Sequence, residues 1–97
     1  AGIVPILDAD GLEKASRHRN DVIRSAVARF EGTPTEILKS LAKDSQVAVR
    51  ECVASNPSTP SDVLNSLSLN PHKSVRKAVL KNPNVTTVMK VQIALMR

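Results

Sequence analysis

The sequence predicts an all-α fold, a short α-solenoid of about three and a half 26-residue two-helix repeats. Three observations lead there. The chain matches itself at an offset of 26: residues 23–28 fall on 49–54 and on 75–80, and residues 33–41 fall on 59–67 without a gap. A fixed period of this length is the signature of stacked supersecondary units. Thr-Pro and Asn-Pro pairs punctuate the units at matching places, at Thr33-Pro34, Thr59-Pro60, Asn56-Pro57 and Asn82-Pro83. The chain is 41% apolar but has one aromatic, Phe30, so its core must be aliphatic. A single globular core in a chain this short would be marginal, and stacking is one solution.

The first element is a half unit over residues 8–22, in which Leu12 aligns with Leu38, Ala15 with Leu41 and Ser16 with Ala42. Full repeats follow at about 23–48, 49–74 and 75–97. The first helix of a unit is expected to start at the Thr-Pro pair. Thr33 or Thr59 would accept a first-turn amide, Pro34 or Pro60 would take the first helical position, and Glu36 or Asp62 would complete a capping box. Ile37, Leu38, Leu41 and Ala42, then Val63, Leu64 and Leu67, form a single apolar stripe. The second helix is expected to be shorter, from Val49 to Ser55 and from Val75 to Lys81. It ends where Asn56-Pro57 or Asn82-Pro83 forbids continuation, and Gly32 breaks the earlier unit by another route.

These residues resemble the leucine-rich repeat variant family, whose units read as Thr-Pro, a Leu-Leu-x-x-Leu-Ala helix, a turn, Val-Arg-x-Ala-Val-Ala and Asn-Pro. Leu38 to Ala42, Asp44, Val49 to Ala54 with Asn56-Pro57, and Asn70-Pro71, Val75 to Val79 with Asn82-Pro83 carry the likeness, over about residues 10–97. The resemblance implies α-helices alternating with short α or 3₁₀ helices, wound into a right-handed superhelix without strands. It implies a binding scaffold and no assigned reaction. The iron–sulfur cysteine cluster beside such repeats in some members has no counterpart here, so no cofactor is carried over. HEAT-like stacking, with longer second helices, is the alternative fold.

Composition narrows the function classes. One cysteine, Cys52, cannot form an internal disulfide or hold a metal alone, and a reducing, cytoplasmic setting is expected. No run of about 18 apolar residues would span a membrane, and residues 1–7 lack the basic start and the length of a signal peptide. Ala1 is not methionine, which suits a processed terminus or a domain cut from a longer chain. Net charge is +5 and unevenly spread: no acid follows Asp62, so residues 63–97 carry six bases and no acids, while residues 1–62 carry eight bases and nine acids. Such asymmetry points to an anionic partner if the bases share a face.

The candidate sites follow from the register. Arg24, Arg50 and Arg76 recur at one position and should form a ladder. The ladder either holds carboxylates or phosphates through bidentate forks, or lays each stem over the core and pairs with an acid such as Glu36, Asp44 or Asp62. The second reading leads, because a repeated residue serves the repeated packing. Lys73, Lys77 and Lys81 fall on one helical stripe beside Arg76, with no acid near them in sequence, as a solvated face or an anion surface. Specific single-strand binding is disfavoured, since aromatic stacking platforms are missing.

Cys52 stands where other units have Ala26 and Ala78, and is read as a small buried residue. His18 and His72 have no Cys or His near them, and no Gly-rich phosphate loop or nucleophile elbow is present. Asn84-Val85-Thr86 is a glycosylation triplet that matters only in a secreted chain. No enzyme is expected.

From Val88 onward the chain is too apolar for one buried stripe. Met89, Ile93 and Met96 are expected to face the preceding repeat, leaving Val88, Val91 and Leu95 as an association edge for further repeats or a second copy about a two-fold axis. The expected function is a non-enzymatic repeat scaffold for macromolecular interaction, with a protein partner first. The alternative is nucleic-acid or polyanion binding through the basic C-terminal half.

Overall fold

The computed structural model describes residues 8–96; the opening segment read above for a signal peptide, residues 1–7, and Arg97 lie outside the described residues. The chain is all-helical, with seven α-helices and no strand among the described residues. They are α1 (Ala9–Ser16), α2 (Asp21–Arg29), α3 (Thr35–Leu41), α4 (Val47–Ser55), α5 (Ser61–Leu67), α6 (Lys73–Lys81) and α7 (Thr87–Leu95). α2 packs on α4 and α4 on α6, forming one row. α3 bridges α2 and α4, α5 bridges α4 and α6, and α7 lies on α6. The molecule measures 49 × 23 × 17 Å.

The apolar stripes end up inside. Ile37, Leu38 and Leu41 of α3 and Val63, Leu64 and Leu67 of α5 are buried at matching positions. Across from them, Val27 and Ala28 of α2, Val49, Val53 and Ala54 of α4 and Val75 and Val79 of α6 complete the aliphatic cluster. Each such Leu or Val contributes about 1.5–3 kcal/mol on burial. Packing must carry that load, because helices of 7 to 9 residues are too short to persist alone.

Helix starts and stops differ from the expectation in three ways. First, α4 and α6, expected to be the shorter helices, are longer than α3 and α5, 9 residues against 7; both kinds are α-helical. They begin two residues before Val49 and Val75, because a polar side chain folds the chain into a turn ahead of each. The Asp44 Oδ1 accepts the Gln46 amide at 2.9 Å and the Asn70 Oδ1 accepts the His72 amide at 3.0 Å. Second, Thr33 and Thr59 do not cap α3 and α5. Their hydroxyls turn back and donate to the carbonyls of Val27 and Val53, each at 2.7 Å, while extended Pro34 and Pro60 stand at the cap itself. Side-chain caps occur instead at Asp8, Asn20 and Thr86. Third, Met96 is exposed; only Met89 of α7 is fully buried, with Ile93 half-buried behind it.

Candidate interaction surface

The three arginines sit at one position of α2, α4 and α6 and begin identically. Nη1 of Arg24, Arg50 and Arg76 donates to the carbonyl six residues earlier, that of His18 at 2.7 Å, Asp44 at 2.6 Å and Asn70 at 2.7 Å. Each guanidinium thus ties down the turn that leads into its own helix. Beyond that bond they diverge. Arg24 closes a fork on Asp44, Nε to Oδ2 at 2.8 Å and Nη2 to Oδ1 at 3.2 Å. The hydrogen bonds that Arg24 donates to Asp44 raise its guanidinium above the ordinary value, working against partial burial. Burial pushes the Asp44 carboxyl up, but the bonds from Arg24 and the Gln46 amide and the charges of Arg24 and Arg50 outweigh it, so the group titrates below the usual carboxylate value.

At the position equivalent to Asp44 the next unit has Asn70, and the Arg50 Nε is buried without a hydrogen-bond partner. Arg76 is only 8% exposed, and no carboxylate among the described residues pairs with it. The Arg76 stem is buried while its unbonded Nε and Nη2 still reach solvent, which leaves it a cation free to meet an anion from outside.

Arg76 opens onto a concavity of about 360 Å³ between α6 and α7, lined also by Lys73, Lys77, Leu80 and Ile93. The structure therefore brings Arg76, Lys73 and Lys77 together. It does not bring Lys81, Arg24 or Arg50 to the same place: Lys81 ends α6 exposed, and the other two arginines are engaged further back along the row. Val88, Val91 and Leu95 are exposed along α7, Leu95 at 81%. A second concavity, of about 450 Å³ at the opposite end, is lined by Gly11, Lys14, Ala15, His18 and Ile23.

Two features escaped sequence reasoning. Asn56 and Asn82, read as helix stops, are buried latches: the Asn56 Nδ2 donates to the carbonyls of Ala28 (2.8 Å) and Phe30 (2.9 Å), and that of Asn82 to those of Ala54 (2.8 Å) and Asn56 (3.0 Å). Their recurrence at the 26-residue offset was the available signal. Phe30 stands at the same position, its ring so close to Gly32 that a Cβ there would lie 2.6 Å from it. The other missed residue is Leu80, which stands where Ala28 and Ala54 are fully buried, yet is 42% exposed.

Cys52 is half-buried against the core, with the Arg29 Nη2 at 3.4 Å from its sulfur. Among the described residues no group of His, Cys, Asp and Glu is placed to hold a metal ion, and no helix is long and apolar enough to cross a membrane. No protein-family model, curated protein or solved structure matches the chain.

Proposed function

We propose that this chain is a segment of a right-handed α-solenoid of the leucine-rich repeat variant kind, serving as a non-enzymatic scaffold that binds a protein partner in the cytoplasm. One observation supports the reading above all: hydrogen bonds between side chain and backbone recur at 26-residue intervals, from Thr33 to Thr59, from Asn56 to Asn82 and through the three arginines. Units so related present an extended surface of repeated side chains, which suits recognition of another macromolecule. The lone thiol of Cys52 fits a reducing compartment.

A second reading, polyanion binding, is favoured by one feature, the meeting of Lys73, Arg76 and Lys77 at one concavity. Titration with a generic DNA duplex separates the two. The scaffold reading expects no binding at low salt. Binding that falls steeply as salt is added, the mark of released counterions, would replace it with the second.

A further inference from the structure

Each helix of the row α2, α4 and α6 is entered through a turn closed by one side-chain acceptor, and the three acceptors differ in one chemical respect. The Asp44 Oδ1 takes the Gln46 amide at 2.9 Å and the Asn70 Oδ1 takes the His72 amide at 3.0 Å. At the same register position ahead of α2 stands His18, whose Nδ1 takes the Asn20 amide at 3.0 Å. Nδ1 is bonded to Cγ, as each Oδ1 is, so the imidazole replaces a carboxylate or carboxamide at the same reach. Asn20 in turn caps α2 through its own Oδ1, on the Val22 amide.

A ring nitrogen accepts a hydrogen bond only through a lone pair. His18 therefore closes its turn as the neutral tautomer with the proton on Nε2, and a proton added at Nδ1 sets one N–H against the Asn20 N–H. Histidine is the side chain that changes charge between about pH 5 and 8. The other two turns are indifferent over that range: Asn70 does not titrate, and Asp44 titrates below the usual carboxylate value and stays ionised.

No neighbour offsets the lost bond. His18 is exposed, so solvent protons reach it. Around it Lys14 of α1 is paired with Asp10, Arg17 with Glu13, and Arg24 of α2 with Asp44. Arg19 and Asp21 complete the charges of the turn and the start of α2. α3, packed on α1 and α2, adds no charged side chain to the concavity that His18 shares with Lys14 and Ile23. Among the described residues no carboxylate lies within ion-pair distance of the ring, so an imidazolium gains no partner there.

The turn matters because α1 is held through it. α1 has 8 residues and one fully buried side chain, Leu12, and rests on α2 and α3. The Arg24 Nη1 donates to the carbonyls of His18 at 2.7 Å and Arg19 at 3.1 Å, so imidazole and guanidinium fix the same turn from two sides. We propose that His18 is an acid-operated latch on the first turn of the row: neutral, it holds α1 against α2; protonated, it opens that turn and loosens α1, while the turns ahead of α4 and α6 stay shut. The latch is independent of what the scaffold binds.

Nuclear magnetic resonance on the full ¹⁵N-labelled chain tests it. At about pH 8 a scalar coupling across the hydrogen bond, from the Asn20 amide nitrogen to the His18 Nδ1, is expected together with a proton on Nε2; at about pH 5 the coupling should vanish. Hydrogen-exchange protection of the Ala15 and Ser16 amides should then fall at least about threefold against that of α4 and α6, as suits the loss of one modest hydrogen bond. His18→Asn installs the acceptor that Asn70 supplies at the equivalent position, and should keep α1 protected at both pH values. His72 changes charge in the same range and is intact in that variant, which makes it the internal control.

A proton on Nδ1, or no coupling at the higher pH, overturns the proposal, and the parent chain alone decides this without any substitution. Unchanged α1 protection in acid overturns it as well. So does a His18→Asn chain that loses α1 protection in acid as the parent does, which would assign the response to His72 or to the carboxylates.

Discussion

Asn56 and Asn82 each turn both carboxamide protons onto backbone carbonyls of the unit before them, 26 and 28 residues away. Replacing Asn56 with Ala leaves the buried Ala28 carbonyl and the part-buried Phe30 carbonyl without that donor, so Asn56→Ala should lower unfolding free energy by about 2 kcal/mol in urea titration. The sequence showed these asparagines as repeated helix stops, and could not show more, because the groups they bind are carbonyls one period earlier that any residue would supply. Arg50 is legible only by comparison with Arg24. Where Asp44 serves the first, Asn70 stands at the equivalent position for the second, and the Arg50 Nε is left buried and unbonded. Asn70→Asp should therefore stabilise by about 0.5 kcal/mol while keeping its turn to His72, and the gain should vanish in an Arg50→Lys background. Asp44 itself makes stability depend on acid. Its carboxyl titrates lower folded than unfolded, so its contribution is present above the unfolded value of about 3.9 and is lost as pH falls through the folded one. Thermal melts should show a drop below about pH 4 that is shallower in Asp44→Asn; equal slopes would remove this pair as a source of acid sensitivity.

The apolar spacing read from residues 37–42 and 63–67 was sufficient to place α3 and α5, since their burial follows the stripe directly. The starts of α4 and α6 were not legible. Their first turns carry no apolar periodicity, and depend on Asp44 and Asn70 bonding the amides of Gln46 and His72. Thr33 and Thr59 misled for a related reason: a threonine ahead of a proline has the chemistry of a cap, but here each hydroxyl reaches the carbonyl of the preceding helix. The short helices then stand or fall on packing. Leu64→Ala, at a site with no exposure between α4 and α6, should cost about 3 kcal/mol and shift the whole cooperative transition. A much smaller loss, read from the denaturation midpoint at unchanged slope, would mean that α5 collapses onto the cavity and is not held rigidly in the row.

Over the whole molecule, charge and packing are separate matters. Lys73, Lys77 and Lys81 are exposed, so changing all three to Glu should alter stability by less than about 0.5 kcal/mol each, measured by thermal melting, while reversing the sign of the α6 surface. Collapse of the fold instead would make them structural and take away the anion surface. The candidate site was partly legible at this scale. The acid-free stretch after Asp62 pointed to the end of the chain where Lys73, Arg76 and Lys77 meet, but the concavity there depends on Leu80, Ile93 and the burial of Arg76, which only the packing of α6 and α7 determines. The asparagine latches also give the row a direction in time. Each binds carbonyls already made when it is itself added to the growing chain, and no latch waits for a unit still to come. During synthesis every new unit can therefore dock as it emerges from the ribosome, with its anchor already in place. Docking in chain order would shorten the time for which the aliphatic stripes of α4 and α6 stand open to aggregation.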